Sequence, residues 1–500
     1  MKTNQFVLSI VILIAVAAGS LAQASEAQLT AIDHCKSKPK HALCYDATLA
    51  ESANSDRPVT IRVQHWPASG ERLNPYPIVW LMGGPGMSNL NPPLPDWVWE
   101  HFDVLTIGYR GIDGTPRLDC PTLRKQFKLE GKNNKEDFLA QTTLDRLTAE
   151  VRVCQQQWEA DGVDTQAYGI YEVVEDIDQV RKALGLAKIN LLSVSYGTRI
   201  AWYFDQLKPG VVDRNLIMSA NPDGGFFFDP TYTDAQLTVL EQQCNADTDC
   251  AQNLPNLKST MADVLANLPE KAWGAHLDAD QIRLITFMML YSRNSMPMVI
   301  DAYSKAAQGN YSGLVAMQKF PNPFKSEDWV WGTFFSAGAI DLNGLGEVEQ
   351  TLARTADSTV LNAPLSELLY NGITKGWQAR AYGPLANRPT QTPTLILGSD
   401  VDVATPVERI EQFWMPYVTN GALIKVAGAG HAPDHILAGG PALEAHLMHF
   451  LATGEATTDQ QFGTPFDFKP GFSLSWVTYG FWSLVAGISA GLIVTAFVLL

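Results

Sequence analysis

Three residue types at three places in the chain can together turn a weak alcohol into a nucleophile. Ser195 lies in Ser193-Val194-Ser195-Tyr196-Gly197, between a strand-like apolar run and a helix-like run. A serine hydroxyl attacks a carbonyl carbon only when a histidine takes its proton and a carboxylate holds that histidine. A sharp strand-to-helix turn presents such a serine, and it needs small residues two before and two after, where backbones pass close together. Gly197 supplies one; Ser193 stands where glycine is usual and is nearly as small. Downstream come Asp400 and Asp402, after the apolar run Pro393 to Gly398, and then His431 in the glycine-rich loop Gly428-Ala-Gly-His431. Asp402 opens Asp-Val-Ala-Thr405-Pro406 and is the preferred acid, because the proline can start a helix after a defined loop. Asp400 is the alternative, or it bonds its own loop backbone as turn aspartates commonly do. His435, His446 and His449 come next on a helix-like stretch and read as packing or solvent-facing residues.

The negative charge that develops on the attacked carbonyl needs two backbone N–H donors. Tyr196, directly after the serine, is the expected first. Gly84, in Met82-Gly83-Gly84-Pro85-Gly86, is the expected second, since glycine lets the main chain approach a substrate without a side chain intervening. No metal-ligand spacing or cofactor motif stands out, so catalysis by side chains alone, with no cofactor, is expected.

These residues sit where elements end. Pro77 to Met82 runs into the glycine loop, Phe102 to Gly108 into Tyr109-Arg110-Gly111, and Ile189 to Ser193 into the serine turn. Val211 to Ser219, Pro393 to Gly398 and Leu423 to Val426 are further runs of this kind, while Val59 to Val63 alternates as a strand should. Between several of them lie helical patterns, such as Val173, Val174, Ile177, Val180 and Leu184. Apolar strands alternating with amphipathic helices predict an α/β fold, a mostly parallel sheet with helices on both faces. Residues 225–386 break the rhythm, being helix-leaning and rich in Met and aromatics, and predict a helical cap inserted between 25–224 and 387–455 of the sheet unit, with 456–471 as linker.

The chain has 500 residues, 36 Lys and Arg against 52 Asp and Glu, and a net charge of −16. Nucleic acid is a poor partner for that balance, since phosphate-tracking surfaces need clustered Lys and Arg. With 46% apolar and 18% charged residues the composition is globular rather than disordered. Residues 1–24 read as a signal peptide: a basic start, a short apolar run, and Ala22-Gln23-Ala24 at the spacing of a cleavage site. Residues 472–500 carry no charge and are long enough for a transmembrane helix, with Trp476, Tyr479 and Trp482 at its entry. An exported body anchored by that helix is expected, a cleaved lipid-anchor signal being the alternative. The six cysteines, Cys35, Cys44, Cys120, Cys154, Cys244 and Cys250, fit an oxidising compartment. Their 15 possible pairings stay open, with sequential pairing the expectation.

With these motifs in hand, the chain resembles the serine peptidases of the proline iminopeptidase and tripeptidyl aminopeptidase group, in the α/β-hydrolase superfamily. The resemblance rests on Gly83-Gly-Pro-Gly86, Ser195-Tyr-Gly-Thr198, Asp402-x-x-Thr-Pro406 and Gly428-x-Gly-His431, and it covers roughly 55–455. It implies Ser195 as nucleophile, His431 as base and then acid, Asp402 as orienting carboxylate, and Tyr196 with Gly84 as oxyanion donors. It further implies an aminopeptidase whose cap acids, here Glu327 or Asp328, hold the substrate's free amine. Met82 replaces the histidine common before the glycine loop, and Glu327-Asp-Trp-Val-Trp-Gly332 departs from the usual cap pattern. An ester hydrolase on the same fold and a non-catalytic binding protein are the rival readings. The expected partner is a small peptide or ester.

Overall fold

The apolar runs that end in glycine form the middle of one sheet. The computed structural model describes residues 27–33, 36–37, 39–52, 55–127, 138–224, 227–320, 323–342, 350–352, 354, 358–379, 385–458, 460–481 and 483–484. Its strands are β1 (Gln28–Ile32), β2 (Leu43–Ser52), β3 (Ser55–Trp66), β4 (Ile78–Leu81), β5 (Val104–Ile107), β6 (Gly114–Thr115), β7 (Ile189–Val194) and β8 (Val212–Met218). A small hairpin, β9 (Lys271–Ala272) and β10 (Ala275–His276), precedes β11 (Thr394–Ser399), β12 (Gly421–Ala427) and β13 (Phe462–Gly463).

The main sheet runs β1-β2-β3-β5-β4-β7-β8-β11-β12-β13, with β6 paired to β3. It is antiparallel from β1 to β5 and parallel from β5 to β13. Every residue of β4, β5 and β11 is buried, which is why these strands read as continuous apolar runs rather than alternating ones. The core helices α1 (Ile170–Ala183), α2 (Tyr196–Leu207), α3 (Val407–Phe413) and α4 (Asp434–Thr453) follow sheet strands or lead into them, as α/β crossovers require. On α1 the residues Val173, Val174, Ile177 and Val180 are buried, the face that the helical spacing marked.

The expected mostly parallel α/β architecture is therefore present, with two additions. Residues 25–75, which showed one strand in sequence, contribute three. The stretch 456–471, expected as a linker, adds β13 beside β12, and its Phe466 and Phe468 are buried against the cap. Helices at 230–246, 248–253, 257–266, 279–289, 296–307, 312–317 and 331–342 form the insertion between β8 and β11. It has two parts. The first has its own apolar cluster, including Leu240, Ile282 and Tyr303, which also takes in Val401 and Val403 from beside the expected acid. The second joins the main core through rings: Phe127 stacks on Trp331 at 4.7 Å, and Trp331 lies 5.7 Å from Phe335.

Cys120–Cys154 and Cys244–Cys250 form disulfides, as sequential pairing expects. Cys35, the expected partner of Cys44, lies outside the described residues, as does the expected signal peptide 1–24. No helix among the described residues is long and apolar enough to cross a membrane. The expected transmembrane tail is described only in part: Trp482 and residues 485–500 lie outside the described residues.

Candidate active site

The serine stands where β7 turns into α2. Ser195 has φ 52° and ψ −125°, a left-handed conformation that a side-chain-bearing residue adopts only when its surroundings enforce it. Two close approaches do so. A Cβ on Gly197 would lie 2.2 Å from the Leu81 carbonyl oxygen, and one on Gly83 would lie 2.5 Å from the Ser195 Cβ. The Ser195 N–H donates to the Met218 carbonyl of β8, and Ser193, buried on β7, places its hydroxyl 3.4 Å from the Leu216 carbonyl. Serine is thus accommodated where glycine was expected.

His431 and Asp402 meet in the buried cleft beyond β11 and β12. The His431 Nδ1 is 2.8 Å from Asp402 Oδ2 and 3.1 Å from Oδ1. The carboxylate accepts further bonds from the Ala404 and Thr405 N–H groups and from the Thr405 hydroxyl. Burial alone would raise the Asp402 pKa, but the neighbouring His431, by charge and hydrogen bond, and Thr405 outweigh it and hold the carboxyl below its usual range. With Nδ1 occupied by the acid, Nε2 is the ring nitrogen left for proton transfer. Asp400, the alternative acid, accepts from Gly428 N–H and the Gln243 amide instead, so it braces the histidine loop. His435 is fully buried with neither ring nitrogen bonded, and burial pushes its pKa down to about 4. His446 packs on Phe462, and His449 is exposed beside Glu455.

Ser195, Tyr196, Gly83, Gly84, Thr405 and His431 line one cavity of about 380 Å³. Met82 N–H is already taken by the Asn89 side chain, which leaves Gly83 and Gly84 as the loop's possible donors beside Tyr196. Gly84 has φ +67°, which suits glycine. The rest of the lining is largely apolar and comes mostly from the cap, with Phe228, Met288, Phe324, Trp329, Phe334 and Tyr370 prominent. Glu327 and Asp328 are not brought to it. Both are exposed; the Glu327 carbonyl accepts from Arg117, and the Asp328 carboxylate accepts from the Ser326 hydroxyl. The chain turns so that the next residue, Trp329, faces inward while the solvated acids face water. Among the described residues no Asp, Glu, Lys or Arg lines the cavity.

Several residues that support the site carry no sequence signal of their own. Asn89 bridges the Met82 N–H to the Trp80 and Ile107 carbonyls, and Asp113 accepts from the Asn89 and Tyr109 N–H groups while the Tyr109 hydroxyl donates to the Met82 carbonyl. The histidine is tied to the cap. Its backbone N–H donates to the Tyr291 carbonyl at 2.7 Å, the two rings meet edge to face, and Asp434 accepts from Arg293, Ser292 and Gly430. Thr405, in the Asp-x-x-Thr-Pro run, and Gly430, in the Gly-x-Gly-His run, stood inside recognised motifs.

A serine at a strained strand–helix turn, a buried Asp–His pair on the following strand ends and a helical cap over the cavity define an α/β-hydrolase, and the chain belongs to that superfamily. The family model for the alpha/beta hydrolase fold matches residues 76–238, and the one for TAP-like proteins matches residues 366–461. Within the superfamily the chain resembles the proline iminopeptidase and tripeptidyl aminopeptidase peptidases. It is 22% identical over 276 residues to YuaR of Escherichia coli (strain K12), a hydrolase by name, covering 51% of this chain and 52% of that one. It is 27% identical over 243 residues to the serine protease Hip1 of Mycobacterium tuberculosis (strain ATCC 25618 / H37Rv), covering 43% of this chain and 42% of that one. The chain thus matches about half the length of these relatives. Among solved structures, a proline iminopeptidase of Mycobacterium smegmatis aligns at 13% identity and TM-score 0.34, over 82% of this chain and 98% of that one.

Proposed function

We propose that the protein is a serine hydrolase of the peptidase type that forms an acyl-enzyme at Ser195, with His431 as base and then acid and Asp402 as orienting carboxylate. The observation that carries this reading is Ser195 in its strained turn, sharing a cavity with a histidine whose Nδ1 is held by a buried carboxylate. Ser195 Oγ attacks the substrate carbonyl carbon and gives its proton to His431 Nε2. The resulting oxyanion is held by Tyr196 N–H and by Gly84 N–H. His431 then protonates the leaving amine as the acyl bond breaks, and water repeats the sequence to free the acid. Asp402 stays ionised throughout, as its lowered pKa supports.

The apolar lining favours a bulky uncharged group beside the bond that breaks. The TAP-like match and the kinship with a protein named a serine protease favour a peptide bond, and release from the amino end is the finer form of that reading. Ester hydrolysis is the second reading, favoured by the absence of an acid among the described lining residues to hold a free amine. The two disulfides support an exported protein, and the charge-free sequence 472–500 supports a membrane tether at the C-terminal end.

Ser195→Ala tests the chemistry. Turnover falls by a factor of about 10⁶, the loss typical of removing such a nucleophile, while thermal unfolding is retained. Near-normal turnover in that variant overturns the assignment. Apolar peptides with free or acetylated amino ends, set beside simple aryl esters of the same acyl group, test the bond. Preference for free-amine peptides supports amino-end release, and turnover of esters alone supports the second reading.

A further inference from the structure

The short helix at 475–481 is built inside out for water. These residues lie on the cap. Their polar side chains face the protein: Ser475 and Thr478 are buried, as is Ser473 just before them. The Thr478 hydroxyl donates to the Ser312 carbonyl at 2.8 Å, Lys305 Nζ lies 2.6 Å from the Ser473 hydroxyl, and the Asn310 amide donates to the Tyr479 hydroxyl at 2.7 Å. The large apolar side chains face out. Trp476 is 62% exposed, Val477 49%, Phe481 61% and Leu484 64%, and at this spacing they share one face. Trp273, at the tip of the β9–β10 hairpin, is also exposed and sets its ring 5.3 Å from that of Tyr479.

A soluble surface helix places these two faces the other way round, because burying hydroxyls while wetting large apolar groups runs against the hydrophobic effect. An apolar patch of this extent marks a contact with another apolar phase. The sequence says which. Residues 472–500 contain no charged side chain, so the amino acids beyond Leu484 continue the same apolar character. Trp273, Trp476 and Tyr479 are the residue types that favour the headgroup level of a bilayer.

We infer that the cap, through its helices at 296–307 and 312–317 and the β9–β10 hairpin, stands against the lipid surface, with Trp476, Val477, Phe481 and Leu484 turned into it and the sheet unit turned away. This rests on the proposed C-terminal tether and adds to it an orientation: the cap that lines the cavity is the membrane-proximal side of the molecule. A tail hinged freely to the body would leave that orientation unset. The hydrogen bonds that join Ser473, Thr478 and Tyr479 to the cap fix it.

The test uses the full chain in phosphatidylcholine vesicles, labelled with a fluorophore at Trp273→Cys on the cap hairpin or at Ala183→Cys on α1 of the core. Val477→Cys is a second label on the same face, in case the hairpin variant does not fold. Flotation with the vesicles is measured first, then quenching by a lipid carrying a quencher in its acyl chain. Loss of most emission at 273 and 477, with 183 unaffected, supports the orientation. Flotation with equal response at 273 and 183 overturns the orientation and leaves the tether standing. Shielding of 273 from an aqueous quencher without response to the lipid quencher means a second copy covers the face, and also overturns it. Failure to float removes the tether and the orientation together.

Discussion

The two sides of the cavity are built on different principles. On the sheet side, the acid and the histidine are held by directional partners. The Asp402 carboxylate accepts from two backbone N–H groups, a hydroxyl and His431, and the backbone N–H of His431 donates to the Tyr291 carbonyl. On the cap side, Phe228, Met288, Phe324, Trp329, Leu365 and Leu369 supply shape and an apolar medium, with little direction. The sheet side is costly to alter, because a buried charge that loses a partner has nowhere else to turn. The cap side tolerates exchange of one apolar residue for another of similar volume. The difference separates a fixed reaction from an adjustable choice of substrate, which is how one fold serves many activities.

The two aspartates after β11 offer the sharpest way to break this contrast. Asp402→Asn removes the charge that orients His431, and a turnover loss of about 10⁴ is expected, with the fold retained. Asp400→Asn, two residues away, weakens the brace to Gln243, Gly428 and Ala429. It should cost about tenfold or less, in line with the loss of one or two supporting hydrogen bonds. Steady-state kinetics of the two variants side by side checks this. Equal losses would mean that the two carboxylates share the role.

His435 tests the sheet side through stability rather than rate. Its folded pKa of about 4 lies below the ordinary value of 6.5, so the unfolded chain binds the proton more readily between those two limits. Above pH 6.5 the residue contributes no pH dependence. As pH falls through 6.5 towards 4, the unfolded state gains protons that the folded state refuses, and stability drops by about 3 kcal/mol. His435→Leu loses no hydrogen bond, since neither ring nitrogen has a partner. Urea unfolding at pH 7, 5.5 and 4 should therefore show the variant gaining on the parent as pH falls. Parallel pH profiles would show that the imidazole charges without difficulty in the folded protein.

The same contrast explains what could be read from the amino acids alone. Ser195, Asp402 and His431 were legible as candidates because each stands in a local pattern: a tight turn flanked by small residues, an acid before Thr405-Pro406, a glycine loop before the histidine. Gly83 and Gly84 were legible for the same reason. Asn89, Asp113 and Tyr291 were not, because each acts through a partner brought near by the sheet or the cap, and an isolated Asn or Tyr carries no mark of that. The parallel strands declared themselves by total burial, whereas β1, β2 and β13 lie at or near the sheet's edges, where apolar runs are shorter and mixed. In the cap, composition gave helix and apolar character, but a run such as Glu327-Asp-Trp329 does not say which of its side chains turns inward. The tail was legible as apolar, and its reversed polarity against the cap was not.

That last cap ambiguity yields the smallest predicted effect. Glu327 and Asp328 are exposed, and the contact that fixes Glu327 is to its carbonyl, not its carboxylate. An exposed carboxylate in water contributes roughly 0–1 kcal/mol to any ion pair it forms, because solvent already satisfies it. Glu327→Gln and Asp328→Asn should therefore change kcat/KM by less than about fivefold on every substrate that is turned over, the upper end of that range. Trp329→Ala, one residue further and facing the cavity, should instead raise KM by about tenfold or more while leaving kcat nearly unchanged, since it removes binding area and no reacting group. A large loss in the acid variants, confined to substrates with a free amino end, would place an amine-holding acid at the cavity mouth. The cap would then share the directional character of the sheet side.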